Sequence, residues 1–369
     1  MGNILDYIDW RGDIRFYERP FNEVDNLIFS ELAYVNMSGI IQNDEKVSLE
    51  ELYKRYCSSS NRSNIPMNDP LPLFEKAAAC DRFRNTMVMC FTEIVDAEKQ
   101  IQFSAVTFLP EDNTVYISFR GTDDTIVGWR EDCNFSFLSS TPGQNCAVEY
   151  VNRIASVTQG DIRIGGHSKG GNFAVYAASF CNSSFRCRIK EVYSNDGPGF
   201  NSTIVQSEEY LSILPKVKKI LPESSLVGLL LSSAEEKKIV KSTAKGIYQH
   251  HPYSWCVTGC GFDEADSLST ESTLMNEALQ KWIGNLSDSE RKLFVSSVFD
   301  FIEASGAETL DDLNKNKMVS YNAILRAGTD FPNEKKTEIF MMLKNFARTS
   351  GEIIFNEAVK TFEKLKDQS

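Results

Sequence analysis

The sequence predicts an α/β protein, with a mostly parallel sheet flanked by helices and a helical C-terminal appendage. Three observations predict it. Between about Ile101 and Cys260, short β-branched and aromatic runs alternate with segments whose apolar residues recur at helical spacing. In "IRIGGHSKGGNFAVYAA" (Ile162–Ala178) one such run gives way to a helical pattern through a glycine-flanked serine. Beyond about Phe262 the extended pattern stops and helical periodicity alone continues. The domain reading is therefore 1–262 for the α/β part with its N-terminal extension and 263–369 for the helical region.

At 369 residues, with 42% hydrophobic and 24% charged residues, the chain can bury a large core. A net charge of −12 without a Lys/Arg-dense face argues against nucleic acid as a partner. The opening "MGNILDYIDWRGD" has no long apolar run and carries Asp6 where myristoylation wants Ser or Thr, so a cytoplasmic protein is expected. Nine cysteines form no CxxC pair, and Cys90, Cys146 and Cys181 lie in apolar context, which predicts buried reduced thiols. Cys187, Cys256 and Cys260 lack His or Cys partners at zinc spacing, so no metal is expected.

Along the chain, residues 1 to about 100 mix short helical and extended patterns, and "CSSSNRSNIPMNDPLP" (Cys57–Pro72) reads as a surface loop. "IQFSAVTFL" and "TVYISFRG" form a hairpin across the turn-like "PEDN". Val148, Val151, Ile154 and Ala155 mark a helix, "DIRIGG" a strand and "NFAVYAASFC" a helix; "KEVYSN" and "VKKILP" are strands. "SLVGLLL" (Ser225–Leu231) reads as core rather than as an acyl site. In the appendage, Ser287 and Glu290 form a capping box, Phe294, Val298 and Phe301 share a face, and the helix stops at Gly306. A last helix near Glu352–Lys366 spaces Ile354, Ala358 and Phe362 by four. Mixed Lys and Glu on the polar faces point to packing on the main domain; peripheral membrane contact stays open.

The chemistry centres on Gly166-His167-Ser168-Lys169-Gly170, a G-x-S-x-G set between a strand and a helix, the context this motif requires. The sharp turn strains the serine, and glycines two residues away let strand and helix approach. A phosphate loop is excluded, because there the Lys precedes the hydroxyl residue. A nucleophilic serine needs a base. Of three histidines, His167 adjoins Ser168 and cannot reach back to Oγ, which leaves His250 or His251 in "YQHHPYSW". Asp196 in "YSNDGPGF", just beyond a strand, is the candidate acid; Glu223 in "ILPESS" competes. The Thr122 N–H and hydroxyl and the Lys169 N–H could form an oxyanion hole, each donor worth ~2.7–4 kcal/mol. The Lys169 side chain itself is read as solvated beside the elbow.

"FRGT", "GWREDCNF", "GGHSKGG" and a late His followed by "YSW" together resemble the class 3, fungal-type lipases of the α/β-hydrolase fold, in a bacterial branch. The resemblance covers about Ile101–Val257. It implies Ser168 as nucleophile, Thr122 and Lys169 as oxyanion donors and a late His as base, with the gap to Trp255 favouring His250. Where the family's usual acid falls, this chain has Glu223, Ser224 and Ser225 and no Asp; some lipases of this architecture place the acid one strand earlier, which favours Asp196. The expected function is a serine ester hydrolase of lipase or esterase type, acting on a small-molecule or lipid ester and using no cofactor. The alternative is a catalytically silent hydrolase fold used for binding. Neither acyl length, ester against thioester or amide, nor oligomeric state follows from the sequence.

Overall fold

A computed structural model of the chain describes residues 2–42, 45–59, 69–123, 125–303 and Thr309. The middle of the Pro-containing loop, the helix end at Gly306 and the last helix near Glu352–Lys366 lie outside the described residues, as do the side chains of Val298 and Phe301.

Eight strands form one sheet in chain order: β1 (Lys46–Ser48), β2 (Met87–Asp96), β3 (Ile101–Leu109), β4 (Val115–Phe119), β5 (Ile162–His167), β6 (Ile189–Asn195), β7 (Val217–Pro222) and β8 (Lys237–Val240). The predicted hairpin is β3–β4, and β1 to β4 pair antiparallel. From β4 to β8 every pairing is parallel. The helices in chain order are α1 (Ile4–Arg11), α2 (Glu23–Leu32), α3 (Leu49–Ser58), α4 (Leu71–Ala79), α5 (Ile126–Asn134), α6 (Pro142–Val157), α7 (Lys169–Phe180), α8 (Ser183–Arg186), α9 (Ser202–Val205), α10 (Glu208–Ile213), α11 (Thr270–Gly284) and α12 (Asp288–Glu303). The result is an α/β-hydrolase-type architecture.

The strand order explains how the two faces are covered. Parallel strands laid down in unbroken sequence by right-handed crossovers place all their connecting helices on one side. Accordingly Val115, Ile117 and Phe119 of β4 pack with Tyr150, Val151 and Ile154 of α6 and Phe173 of α7 in one core. The opposite face would stand bare. It is covered by the N-terminal helices, whose Leu27, Ile28 and Phe29 (α2) and Phe74 (α4) pack with Val106, Phe108 and Tyr116 in a second core. The alternation of Tyr116 with its neighbours along β4 is the period-2 geometry of a strand buried on both sides. α1 and α2 each start with a complete capping box, Asn3 with Asp6 and Asn22 with Asp25. Asp25 then accepts from Arg82 at 2.6 Å, the two side chains 0% and 1% exposed.

Two expectations change. Among the nine cysteines only Cys181 and Cys256 are buried; Cys57, Cys133, Cys187 and Cys260 are exposed, since they stand on helix and loop surfaces rather than in the sheet. Of "SLVGLLL", Ser225, Gly228 and Leu229 are buried, while Leu226, Val227 and Leu230 are half-buried and belong to neither large core. α11 and α12 reach back onto the sheet domain: Gln280 donates to the carbonyls of Leu229 and Leu231, and Val295 and Phe299 pack with Ile126 of α5. Among the described residues no helix is long and apolar enough to cross a membrane.

Candidate active site

Ser168 follows β5 directly and opens α7, at φ 57° and ψ −130°. A non-glycine residue holds this backbone only when its surroundings force it. Here the forcing is steric. A Cβ on Gly166 would stand 2.4 Å from the Gly170 carbonyl carbon, and one on Gly170 would stand 2.1 Å from the Phe119 carbonyl oxygen. The two glycines therefore permit the strand, helix and β4 to touch backbone to backbone, which pushes the half-buried serine out at the carboxyl edge of the sheet.

Asp196 follows β6 in the same way. His167 is in register with Asn195, so Ser168 and Asp196 stand side by side just past the ends of neighbouring parallel strands, about 4.8 Å apart in strand spacing. Asp196 is also at positive φ, 49°. Its carboxylate is wholly buried and fully engaged: Oδ1 accepts from Ser225 Oγ at 2.5 Å and from the Gly228 N–H at 3.1 Å, and Oδ2 lies 2.6 Å from His250 Nδ1. With a carboxylate on Nδ1, that nitrogen carries the proton and Nε2 is the ring's acceptor. His250 sits on a 3₁₀ turn, Gly246–His250, whose Gln249 is fixed by the Trp255 indole N–H donating to its carbonyl at 2.8 Å and by the Ser224 N–H donating to its Oε1 at 2.7 Å.

The competing residues are placed elsewhere. His251 Nδ1 accepts the Tyr253 N–H and caps the next turn, with its ring against Tyr253. Glu223 sits at the end of β7, where its main chain bridges Val240 and Ser269.

Thr122 and Lys169 flank the elbow, but two details of their side chains differ from expectation. The Thr122 hydroxyl donates to Asp132, so its proton is committed there. Lys169 is not solvated. Its ammonium is fully buried, 2.8 Å from Glu131 and 3.5 Å from Asp132, with Gln102 Oε1 at 3.1 Å and the Phe173 ring beneath it. The elbow turns the side chain of the residue after the serine back under α7, and two acids on α5 receive it. Burial pushes the Asp132 carboxyl up to about 6, against the pull of Lys169 and the Thr122 hydroxyl. The Lys169 N–H is in the first turn of α7, where no intrahelical carbonyl is available to it.

The profile of the Mbeg1-like family matches residues 77–300. The chain belongs to the Mbeg1-like family. The matched span runs from α4 to α12 and contains Thr122, Ser168, Asp196 and His250. A solved structure, the crystal structure of M37 lipase, is similar over 55% of this chain and 68% of that chain, at 13% identity and a TM-score of 0.34. No curated protein matches.

Within the Mbeg1-like span, sequence reasoning missed the groups that support Asp196 and His250. Ser225, one of two serines where the resemblance puts the usual acid, donates its hydroxyl to Asp196 Oδ1. His167, which adjoins Ser168 and cannot act as its base, has Nε2 2.9 Å from the His250 carbonyl and Nδ1 3.2 Å from the Tyr34 hydroxyl. Tyr34 and Glu31 come from α2 and the turn after it, before the matched span begins. Nothing in their local pattern signals a site, because the contacts are made across more than 130 residues.

Proposed function

We propose that the protein is a serine ester hydrolase of lipase or esterase type, with a hydrolase domain over 1–262 followed by a helical region over 263–369. The reading rests on one observation, the 2.6 Å contact of Asp196 Oδ2 with His250 Nδ1 beside the strained Ser168 elbow. Asp196 fixes the tautomer in which His250 Nε2 can take the Ser168 proton. Ser168 Oγ attacks the ester carbonyl, and His250 passes the proton to the leaving alkoxide. The main-chain N–H groups of Thr122 and Lys169 receive the oxyanion, reinforced by the α7 N-terminus. A water then repeats the sequence on the acyl-enzyme. The substrate is a small-molecule or lipid carboxylic ester. Half-buried Leu226, Val227 and Leu230 next to Gly228 favour an apolar acyl group over a charged one.

The test is intact-mass spectrometry of wild type and Ser168→Ala after treatment with a fluorophosphonate. One adduct on wild type and none on the folded variant is expected. No adduct on folded wild type would sink the reading and leave the alternative of a hydrolase fold used for binding.

A further inference from the structure

We infer that His167 is a positioning residue: its Nε2–H, donated to the main-chain carbonyl of His250, holds the turn that presents the His250 imidazole to Ser168. The inference rests on the hydrolase reading above and concerns the same site.

The turn needs such a hold. Ile247 and Tyr248 on it are 60% and 77% exposed, and a Cβ at Gly246 would meet nothing within 4 Å. The turn thus has little packing of its own, and its place is set by hydrogen bonds at its C-terminal end. The side chain of His250 is tied to Asp196 and the carbonyl of Gln249 to Trp255; the carbonyl of His250 is tied to His167. Losing the last of these leaves the backbone of the base free to shift while its ring remains attached to Asp196.

His167 is suited to the task by its own surroundings. A carbonyl only accepts, so Nε2 carries the proton and Nδ1 accepts from the Tyr34 hydroxyl at 3.2 Å. Burial, and the charge of His250 when it is protonated, keep the His167 pKa well below its ordinary value, so the ring stays neutral while His250 cycles. The carboxyl of Glu31, 3.6 Å from Nδ1, finds no hydrogen-bond partner among the described residues, and burial pushes it up to about 8, so it too is neutral at pH 7. His167 also ends β5 immediately before Ser168, and its ring centroid is 4.6 Å from that of His250. One residue therefore couples the position of the nucleophile to that of the base.

The experiment compares His167→Leu and His167→Gln for hydrolysis of p-nitrophenyl butyrate and for the rate of fluorophosphonate labelling. Gln carries an N–H donor at nearly the reach of Nε2; Leu does not. A misplacement of the order of 1 Å lowers turnover by ~100-fold. His167→Leu is expected to lose kcat and labelling rate on that scale with KM within about twofold, and His167→Gln to recover at least ~10-fold of the loss. Should the Leu variant not fold, His167→Asn, too short to reach the carbonyl, takes its place against Gln. Wild-type kcat in the variant lacking the donor, or equal losses in both with equal falls in melting temperature, would overturn the inference while leaving the labelled wild type as a hydrolase. An unlabelled wild type would overturn both.

Discussion

The ammonium of Lys169 lies 2.8 Å from the carboxylate of Glu131, and neither side chain is exposed to solvent. Glu131 also accepts the Gln102 N–H at 2.9 Å and the Gly143 N–H at 2.7 Å. One carboxylate on α5 thus ties together β3, the start of α6 and the start of α7, all behind the elbow. Removing one partner of a buried pair leaves the other uncompensated, at a cost of about 3–5 kcal/mol. Lys169→Met should lose stability on that scale in denaturant unfolding. Because the proposed oxyanion donor at this position is the main-chain N–H, folded Lys169→Met should still label with a fluorophosphonate. A loss below about 1 kcal/mol would mean that the N–H groups of Gln102 and Gly143 satisfy the Glu131 carboxylate without the ammonium.

Asp196 and Glu223 give a direct contrast. Asp196 holds His250 Nδ1 and is itself held by Ser225 and Gly228, whereas Glu223 sits at the end of the neighbouring strand with its main chain on Val240 and Ser269. An Asn at the acid position offers an amide in place of the second oxygen and stabilises the wrong tautomer, an effect of about 10⁴ in kcat in a Ser-His-Asp enzyme. Asp196→Asn should fall by that order, and Glu223→Gln should stay within about twofold. Steady-state kinetics on one ester decides it, and the reverse ranking would move the acid to the end of β7.

Why the place of Ser168 and Asp196 at the strand ends could be read from the sequence, while the groups around them could not, follows from range. Ser168, Asp196 and the strand ends that carry them are local: a β run, a turn residue and a helix, each announced within about ten positions. The order of those runs fixes a parallel sheet from β4 onward, and with it the shared carboxyl edge. The covering of the second face by α1 to α4 has no such local mark, because Asn26, Ser30 and Glu31 look like the polar face of a surface helix. They are buried instead: Asn26 Nδ2 donates to Asn195 Oδ1 at 2.9 Å, and Tyr116 donates to Asn26 Oδ1 at 2.6 Å. Lys169 misled for the same reason. A lysine directly after a turn residue ordinarily reaches water, and only the fold brings Glu131 and Asp132 beneath it.

Glu31 yields a pH prediction. Burial without a hydrogen-bond partner raises its carboxyl from 4.5 to about 8. A raised acid binds its proton in the fold at pH values where the unfolded chain has already released it. Its contribution to stability therefore declines as pH rises from about 4.5 to about 8, and above that the fold bears the full cost of a buried charge. Gln cannot ionise. Glu31→Gln should match wild type in denaturant midpoint near pH 4.5 and exceed it above about pH 8, by a few kcal/mol. An advantage confined to the acidic side would contradict the assignment.

The last prediction separates two kinds of glycine. At Gly170 a Cβ would meet the Phe119 carbonyl oxygen at 2.1 Å and the carbonyl carbon at 2.8 Å, both main-chain atoms of β4 that cannot rotate away. Relief requires α7 to move off the sheet, and with it the first turn that follows Ser168. Gly170→Ala should therefore lose about 3 kcal/mol or more, and fluorophosphonate labelling should fall further than stability does. Gly246 has φ +56° and open space around it, so Gly246→Ala meets only the backbone preference against the left-handed region, about 1 kcal/mol. Melting curves and labelling rates of the two variants measured side by side check the argument. A mild Gly170→Ala with unchanged labelling would mean that close approach of strand and helix is not what shapes the elbow.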